Sequence, residues 1–139
     1  MRRRCAAADG SSRMPRSSTL VSPEPVGADA VARAVAIVRD RLGATGESPD
    51  FVLQPLDAGA ALTVSADGDL VLTVLRPRPL AGLAEARRLR PGWKLDALPT
   101  PAFWTDAYTP WTPGGLIGIA VLDTLAESLG ARIDHDPLL

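Results

Sequence analysis

The segment ALTVSADGDLVLTVL, residues 61–75, constrains the fold of this chain more than any other stretch. Apolar and polar residues alternate on both sides of Asp67 and Gly68, which is typical of two antiparallel strands joined by a tight turn. We expect a three-residue loop that ends at Gly68, because this register sets Val64 opposite Leu70 and keeps one face of the hairpin apolar. A two-residue turn would instead place apolar residues opposite polar ones.

Two other segments have the apolar periodicity of amphipathic helices. The first begins at Asp29, a suitable N-cap, and ends at Gly43. The second covers residues 113–129 and ends at Gly130. Each has one apolar face, formed by Val31, Val35, Val38 and Leu42 in the first helix and by Ile119, Leu122, Leu125, Ala126 and Leu129 in the second.

The remaining elements are shorter. Strands are expected at 51–56 and 99–108, a short helix within LAGLAEARRLR at 80–90, and a short terminal strand at 131–135. These elements predict an α+β fold of the two-layer sandwich type, in the order α-β-β-β-α-β-α-(β). The sheet would be mainly antiparallel, with about four or five strands, and the two amphipathic helices would cover one of its faces.

The N-terminal part of the chain has a different composition. Residues 1–27 are rich in Ser, Pro, Gly and Arg and poor in large apolar groups, so we expect a disordered basic leader followed by a single domain at 28–139. The first sixteen residues contain five arginines and one aspartate, for a charge of +4. The rest of the chain contains ten basic and fifteen acidic residues, for a charge of -5. Met14 offers an alternative start of translation.

Localisation follows from what the sequence lacks. The charged start is not followed by the apolar region of a signal peptide, and no apolar run approaches the length of a membrane span. The single cysteine, Cys5, cannot form an internal disulfide bond. These features favour a cytoplasmic protein that does not associate with membranes.

We find no motif for nucleotide, metal or cofactor binding, and no nucleophile motif. The only histidine, His135, lies between Asp134 and Asp136. Neighbouring residues of a strand point to opposite faces, so these aspartates cannot orient the imidazole, and we expect a histidine exposed on the surface. The sequence therefore predicts no catalytic residue, no metal site and no cofactor.

The segment FWTDAYTPW, residues 103–111, contains four of the six aromatic residues of the chain. Strand alternation directs Trp104, Asp106 and Tyr108 to the face opposite Phe103. Surface tryptophan and tyrosine residues are typical of protein interfaces. We therefore predict a partner-binding patch, with another protein as the partner; the sequence leaves the oligomeric state open, including a homodimer through the hairpin edge. The patch consists of Trp104, Asp106, Tyr108 and Trp111.

Two alternative functions remain open at this point. Single-stranded nucleic acid could bind to the arginines of Arg76–Arg90 together with the aromatic residues of Trp93–Trp111, since such proteins combine positive charge with stacking surfaces. The net charge of -1 argues against it. A small enzyme could use Asp106, because a carboxylate between aromatic rings can serve as an acid or a base.

The second half of the chain resembles a protein family. The succession VLTVLRPRPLAGLAEARRLRP, AFWTDAYTP and LAESLGARIDHDP is similar to a unit of an uncharacterised actinobacterial family found near type VII secretion genes. The resemblance covers roughly residues 60–136, and its most specific part is Trp104 to Ala107. It implies a cytoplasmic accessory role in a secretion or conflict locus, without a known reaction. By fold analogy alone, the element order is also similar to secretion-chaperone-like sandwiches. We therefore expect a non-enzymatic, protein-binding or chaperone- or adaptor-like domain.

Overall fold

The computed structural model describes residues 14–136. In this range the strands are β1 Arg16–Ser22, β2 Phe51–Leu56, β3 Ala61–Ala66, β4 Asp69–Leu75, β5 Arg78–Pro79, β6 Phe103–Thr109 and β7 Arg132–His135. The α-helices are α1 Ala28–Thr45, α2 Leu83–Leu89 and α3 Gly114–Leu129, and a short 3₁₀ turn covers Asp57–Gly59.

All the strand pairs are antiparallel, in the order β2-β3-β4-β6-β1-β7, and β5 pairs with the start of β6. Helices α1 and α3 pack against one face of the sheet, where they enclose the main apolar core. The predicted α+β class, the antiparallel sheet and its cover of two helices are therefore confirmed. The sheet has seven strands in the described residues, compared with the four or five expected, and the order of elements begins with a strand.

Strand β1 lies inside the segment that we expected to be a disordered leader. It sits between β6 and β7, and its Leu20 and Val21 are buried. The prediction for 1–27 is therefore wrong from Arg16 to Ser22, while residues 1–13 lie outside the described residues. The composition predicted disorder here because four of the seven residues of this strand are serine or threonine. Such side chains can be buried where neighbouring elements supply hydrogen-bond partners, and the sequence does not reveal those partners.

The β3–β4 hairpin differs from the expected register. Its turn has two residues, Asp67 and Gly68, with φ of 52° and 86°, as a type I′ turn requires. A β-bulge in β4 then shifts the register, so that Val64 lies opposite Leu72 and not opposite Leu70. The expected three-residue loop is therefore wrong. The bulge achieves what the longer loop was expected to achieve, which is to keep apolar residues opposite one another.

The second face of the sheet is covered in part. Helix α2 and the chain that follows it pack over β1 and β6, and they enclose a smaller apolar cluster of Val21, Leu80, Ala86, Trp93, Leu95, Ala102 and Trp104. The domain therefore has a third, partial layer that the two-layer prediction lacked. No helix within residues 14–136 is long and apolar enough to cross a membrane.

Candidate interaction surface

Trp104, the centre of the predicted aromatic patch, is buried. Its side chain lies on the second face of β6, as alternation predicted, but α2 and the following chain cover it to 2% exposure. Its ring centroid lies 6.0 Å from that of Trp93, and its Nε1 donates a hydrogen bond of 3.0 Å to Asp106 Oδ1. Trp104 therefore belongs to the core, and the prediction that it is part of an exposed patch is wrong.

Asp106 is half-buried and accepts hydrogen bonds within the domain. In addition to the indole of Trp104, its Oδ1 accepts a hydrogen bond of 3.1 Å from Thr19 Oγ1 on β1. The carboxylate therefore links two neighbouring strands on the covered part of the second face. A linking role explains why aspartate is tolerated inside a strand.

Trp111 lies at the opposite end of β6 from Trp104. The guanidinium carbon of the buried Arg16 lies 4.5 Å from the centroid of its ring, in cation–π geometry. Its Nε1 donates a hydrogen bond to the carbonyl oxygen of Met14. These contacts attach the beginning of β1 to the turn before α3, so Trp111 and Trp104 do not form one patch.

Arg90, at the end of α2, is the centre of a polar cluster that the sequence did not reveal. Its side chain is 15% exposed, and it donates to Asp134 Oδ2 at 2.7 Å and to Asp136 Oδ1 at 3.1 Å. It also donates to Ser17 Oγ and Thr19 Oγ1, both at 3.0 Å, and to the Ser17 carbonyl oxygen at 3.2 Å. The cluster joins α2, β1 and β7. Nothing in the local sequence links these distant segments.

His135 takes part in a second polar chain, on the helix-covered face. Its Nδ1 lies 2.6 Å from Ser18 Oγ, and its Nε2 lies 2.8 Å from Asp123 Oδ1 of α3. A serine nucleophile must reach its substrate, whereas Ser18 is fully buried, so this serine–histidine–aspartate chain has a structural role. The expectation that Asp134 and Asp136 do not orient the imidazole agrees with this arrangement. His135 reaches the surface as expected, but its side chain is only 25% exposed, because it bridges Ser18 and Asp123.

Within residues 14–136, no helix or loop covers the part of the second face formed by β2, β3, β4 and the end of β6. Two rows of side chains cross it: one runs from Val52 through Ser65 to Leu70, and the other from Gln54 through Thr63 and Thr73 to Tyr108. We call these seven residues, together with Leu56, the uncovered face. Val52 is 51% exposed and Leu70 is 49% exposed. None of the eight side chains carries a charge at neutral pH.

The sequence by itself does not define the uncovered face. The positions of residues 52–73 that point away from the helices contain no charged residue, but the bulge in β4 interrupts the alternation between Leu70 and Thr73, so only the structure shows which positions these are. Of the four predicted site residues, only Tyr108 belongs to this surface, at its border. Trp104 was predicted to be exposed because aromatic residues are typical of interfaces, but they are equally typical of a core.

Four cavities formed by the described residues bear on the alternative role of Asp106. A cavity of about 180 Å³ lies between the start of α1 and strands β2 to β4, and it has a largely apolar lining that includes Val26, Leu62 and Arg76. Asp106 lines neither this cavity nor the three larger, more open ones on other parts of the surface. Within residues 14–136 no group of three or more His, Cys, Asp or Glu residues could hold a metal ion.

Comparisons with protein-family models, with curated proteins and with solved structures find no match to this chain.

Proposed function

We propose that this domain is a non-enzymatic protein-binding module and that it binds its partner through the uncovered face. The observation that carries the proposal is a sheet surface with exposed Val52, Leu56 and Leu70 and without a single charged side chain. Antiparallel sheets that face water on one side normally show polar residues there, as this face does at Gln54, Thr63, Ser65 and Thr73, so the three exposed aliphatic side chains are the exception. A surface that exposes large aliphatic side chains on a sheet is typical of an interaction site.

The energetics of binding favour this surface over the aromatic patch. Covering uncharged side chains requires no desolvation of ions, and the central parts of protein interfaces are depleted in charge. Tyr108 lies at the border of the uncovered face, where its ring can contact a partner while its hydroxyl stays near solvent. The proposed partner is therefore a protein that presents an apolar surface with few charges.

Site-specific photo-crosslinking in the native host tests the proposal. A photoreactive amino acid at Leu70 should give a discrete adduct with another protein. The matched control is Leu116, which is 59% exposed on the helix-covered side of the domain. The proposal requires an adduct from Leu70 and none from Leu116. Failure of Leu70 to crosslink, or equal adducts from both positions, would contradict it.

The two alternative functions have less support from the geometry. Stacking on bases requires accessible rings, and Trp93 and Trp104 are buried against each other. Arg90, one of the arginines of that alternative, is bound to Asp134 and Asp136. An enzyme that uses Asp106 would need a substrate cavity beside the carboxylate, and the cavities described above lie elsewhere.

The cellular role that we propose is an accessory one in the cytoplasm, in a secretion or conflict locus. It rests on the resemblance of residues 60–136 described in the sequence analysis. The genes that flank this one provide the test. Secretion or conflict genes beside it would support the proposal, and a neighbourhood of metabolic genes would argue against it.

A further inference from the structure

We propose that two copies of this domain form a homodimer by antiparallel pairing of their β2 strands, with the two-fold axis at Val52. Strand β2 is at one edge of the sheet and pairs only with β3 among the described strands. Its outer side therefore presents backbone groups that have no partner in the sheet. This inference concerns the edge of the sheet and does not depend on the proposed function.

The hydrogen-bond pattern identifies which backbone groups point outward. The N–H of Asp67 donates to the carbonyl oxygen of Asp50 at 2.9 Å, so Asp50 faces β3. Hydrogen-bonded and non-hydrogen-bonded pairs alternate along an antiparallel ladder. Val52 and Gln54 therefore also face β3, and the hydroxyl of Thr63 donates to the Gln54 carbonyl oxygen in agreement. The outward-facing N–H and C=O groups belong to Phe51 and Leu53.

Two prolines limit this edge. Pro49 and Pro55 occupy the next outward-facing positions on either side, and proline has no N–H to donate. An axis at Val52 sets Phe51 opposite Leu53 of the second copy, and both pairs can then exchange their two hydrogen bonds. The same axis sets Pro49 opposite Pro55, where the ladder ends. An axis at Phe51 or Leu53 would instead pair one of these residues with a proline.

The side chains are compatible with this register. Val52 meets its own copy at a non-hydrogen-bonded position, where the Cα atoms of an antiparallel pair lie about 4.5 Å apart. On the other face, Phe51 lies opposite Leu53, and both already pack against the apolar core under α1 and α3. Asp50 lies opposite Gln54, whose amide can donate to a carboxylate. No like charges face each other across the axis.

The two edges of the sheet differ in a way that favours β2 as the interface. The six residues of β2 contain no charged side chain, whereas the four residues of β7 include Arg132 and Asp134. Charged side chains on an edge strand hinder its pairing with another chain. Strand β7 therefore has the composition of a protected edge, and β2 does not.

The mass of the full chain in solution is the first test, measured by light scattering or sedimentation equilibrium. We expect twice the 14.6 kDa of one chain. Val52→Lys should yield a monomer, because it places two ammonium groups together at the axis, while circular dichroism verifies that the domain is folded. Leu70→Lys is the matched control: Leu70 is equally exposed on the same face but lies two strands away from the edge, so this variant should remain a dimer.

Three outcomes of this experiment would overturn the proposal. A monomeric wild-type chain excludes the dimer. Loss of the dimer in both variants indicates association through the uncovered face and not through the edge. A Val52→Lys variant that remains a dimer shows that the axis lies elsewhere.

Disulfide trapping tests the register itself. In a Cys5→Ser background, Val52→Cys should link the two copies on oxidation, because the expected Cα separation is within disulfide range. Gln54→Cys lies on the same face of the same strand, but its two copies would be about 14 Å apart, beyond that range. Efficient linking of Gln54→Cys, or none of Val52→Cys, would refute the β2 pairing.

Discussion

The contact between α3 and the sheet can be tested by replacing Gly118 with alanine. The sequence alone predicts that this substitution raises the stability of the protein, whereas the structure predicts that it lowers it. Gly118 is buried in the second turn of α3, inside the helix, where glycine is a poor helix former. Helix propensity alone predicts that Gly118→Ala stabilises the protein by about 1 kcal/mol. In the structure, however, a Cβ at Gly118 would lie 2.0 Å from the carbonyl oxygen of Val71 and 2.8 Å from Thr109 Cγ2.

The magnitude follows from these distances. To restore an ordinary separation of about 3.2 Å from the Val71 oxygen, α3 would have to move away from β4 by about 1 Å, because a backbone oxygen cannot rotate aside. Overpacking of this kind costs typically about 1–3 kcal/mol, and the displaced helix also loses contacts with the core. When the gain of about 1 kcal/mol in helix propensity is subtracted from these costs, we expect Gly118→Ala to lower the free energy of unfolding by about 2 kcal/mol. For a domain of this size the melting temperature should fall by about 8 °C.

Urea unfolding monitored by tryptophan fluorescence measures this change, with an m-value close to that of the wild type. Gly43→Ala in α1 is the matched control. The nearest atom to its added Cβ would be Ser48 Cβ at 3.9 Å, so the methyl group fits and stability should rise by about 0.5–1 kcal/mol. The reasoning fails if Gly118→Ala is as stable as the wild type or more stable.

Three further measurements test other parts of the structure. Arg90→Ala removes hydrogen bonds to two carboxylates and should lower the free energy of unfolding by about 3 kcal/mol. The control Arg88→Ala removes an exposed side chain and should change it by less than about 0.5 kcal/mol. Similar losses in both variants would show that the Arg90 cluster does not stabilise the domain. Gly68→Ala should cost about 1 kcal/mol in denaturant titration, because φ is 86° there, and a neutral effect would contradict the type I′ turn. In variants that keep a single tryptophan and have phenylalanine at the other two positions, iodide should quench the fluorescence of Trp104 weakly and that of the partly exposed Trp111 more strongly. Equal quenching would show that Trp104 is accessible.

The secondary structure was largely predictable because its signals are local. The apolar stripe of α3 and the left-handed Gly130 that ends it appear in the structure as the periodicity predicted. The alternation in 61–75 identified both strands of the hairpin, although the bulge in β4 was missed. The position of a bulge depends on which register best fills the core beneath α3, and Gly118 of α3 lies against Val71 in the bulged part of β4. The hairpin sequence alone therefore does not specify the bulge.

The candidate site was less predictable, because burial is a property of the whole fold. Alternation placed Trp104 and Tyr108 on the same face of β6. It could not reveal that α2 and the following chain fold over Trp104 and leave the neighbouring strands open. It also gave the wrong face for Leu70, because the bulge in β4 changes the direction of the side chains on either side of it.

The sequence by itself determined the α+β class, the two amphipathic helices, the presence of a hairpin turn at Gly68, and the two faces of β6. Each depends on the periodicity or the backbone preference of a few neighbouring residues. Only the tertiary structure decided that Arg16–Ser22 is a strand inside the sheet and that Arg90 binds Asp134 and Asp136. The physical reason is that polar side chains become favourable inside a protein only when partners from distant segments satisfy their hydrogen bonds, and those partners meet only in the folded chain.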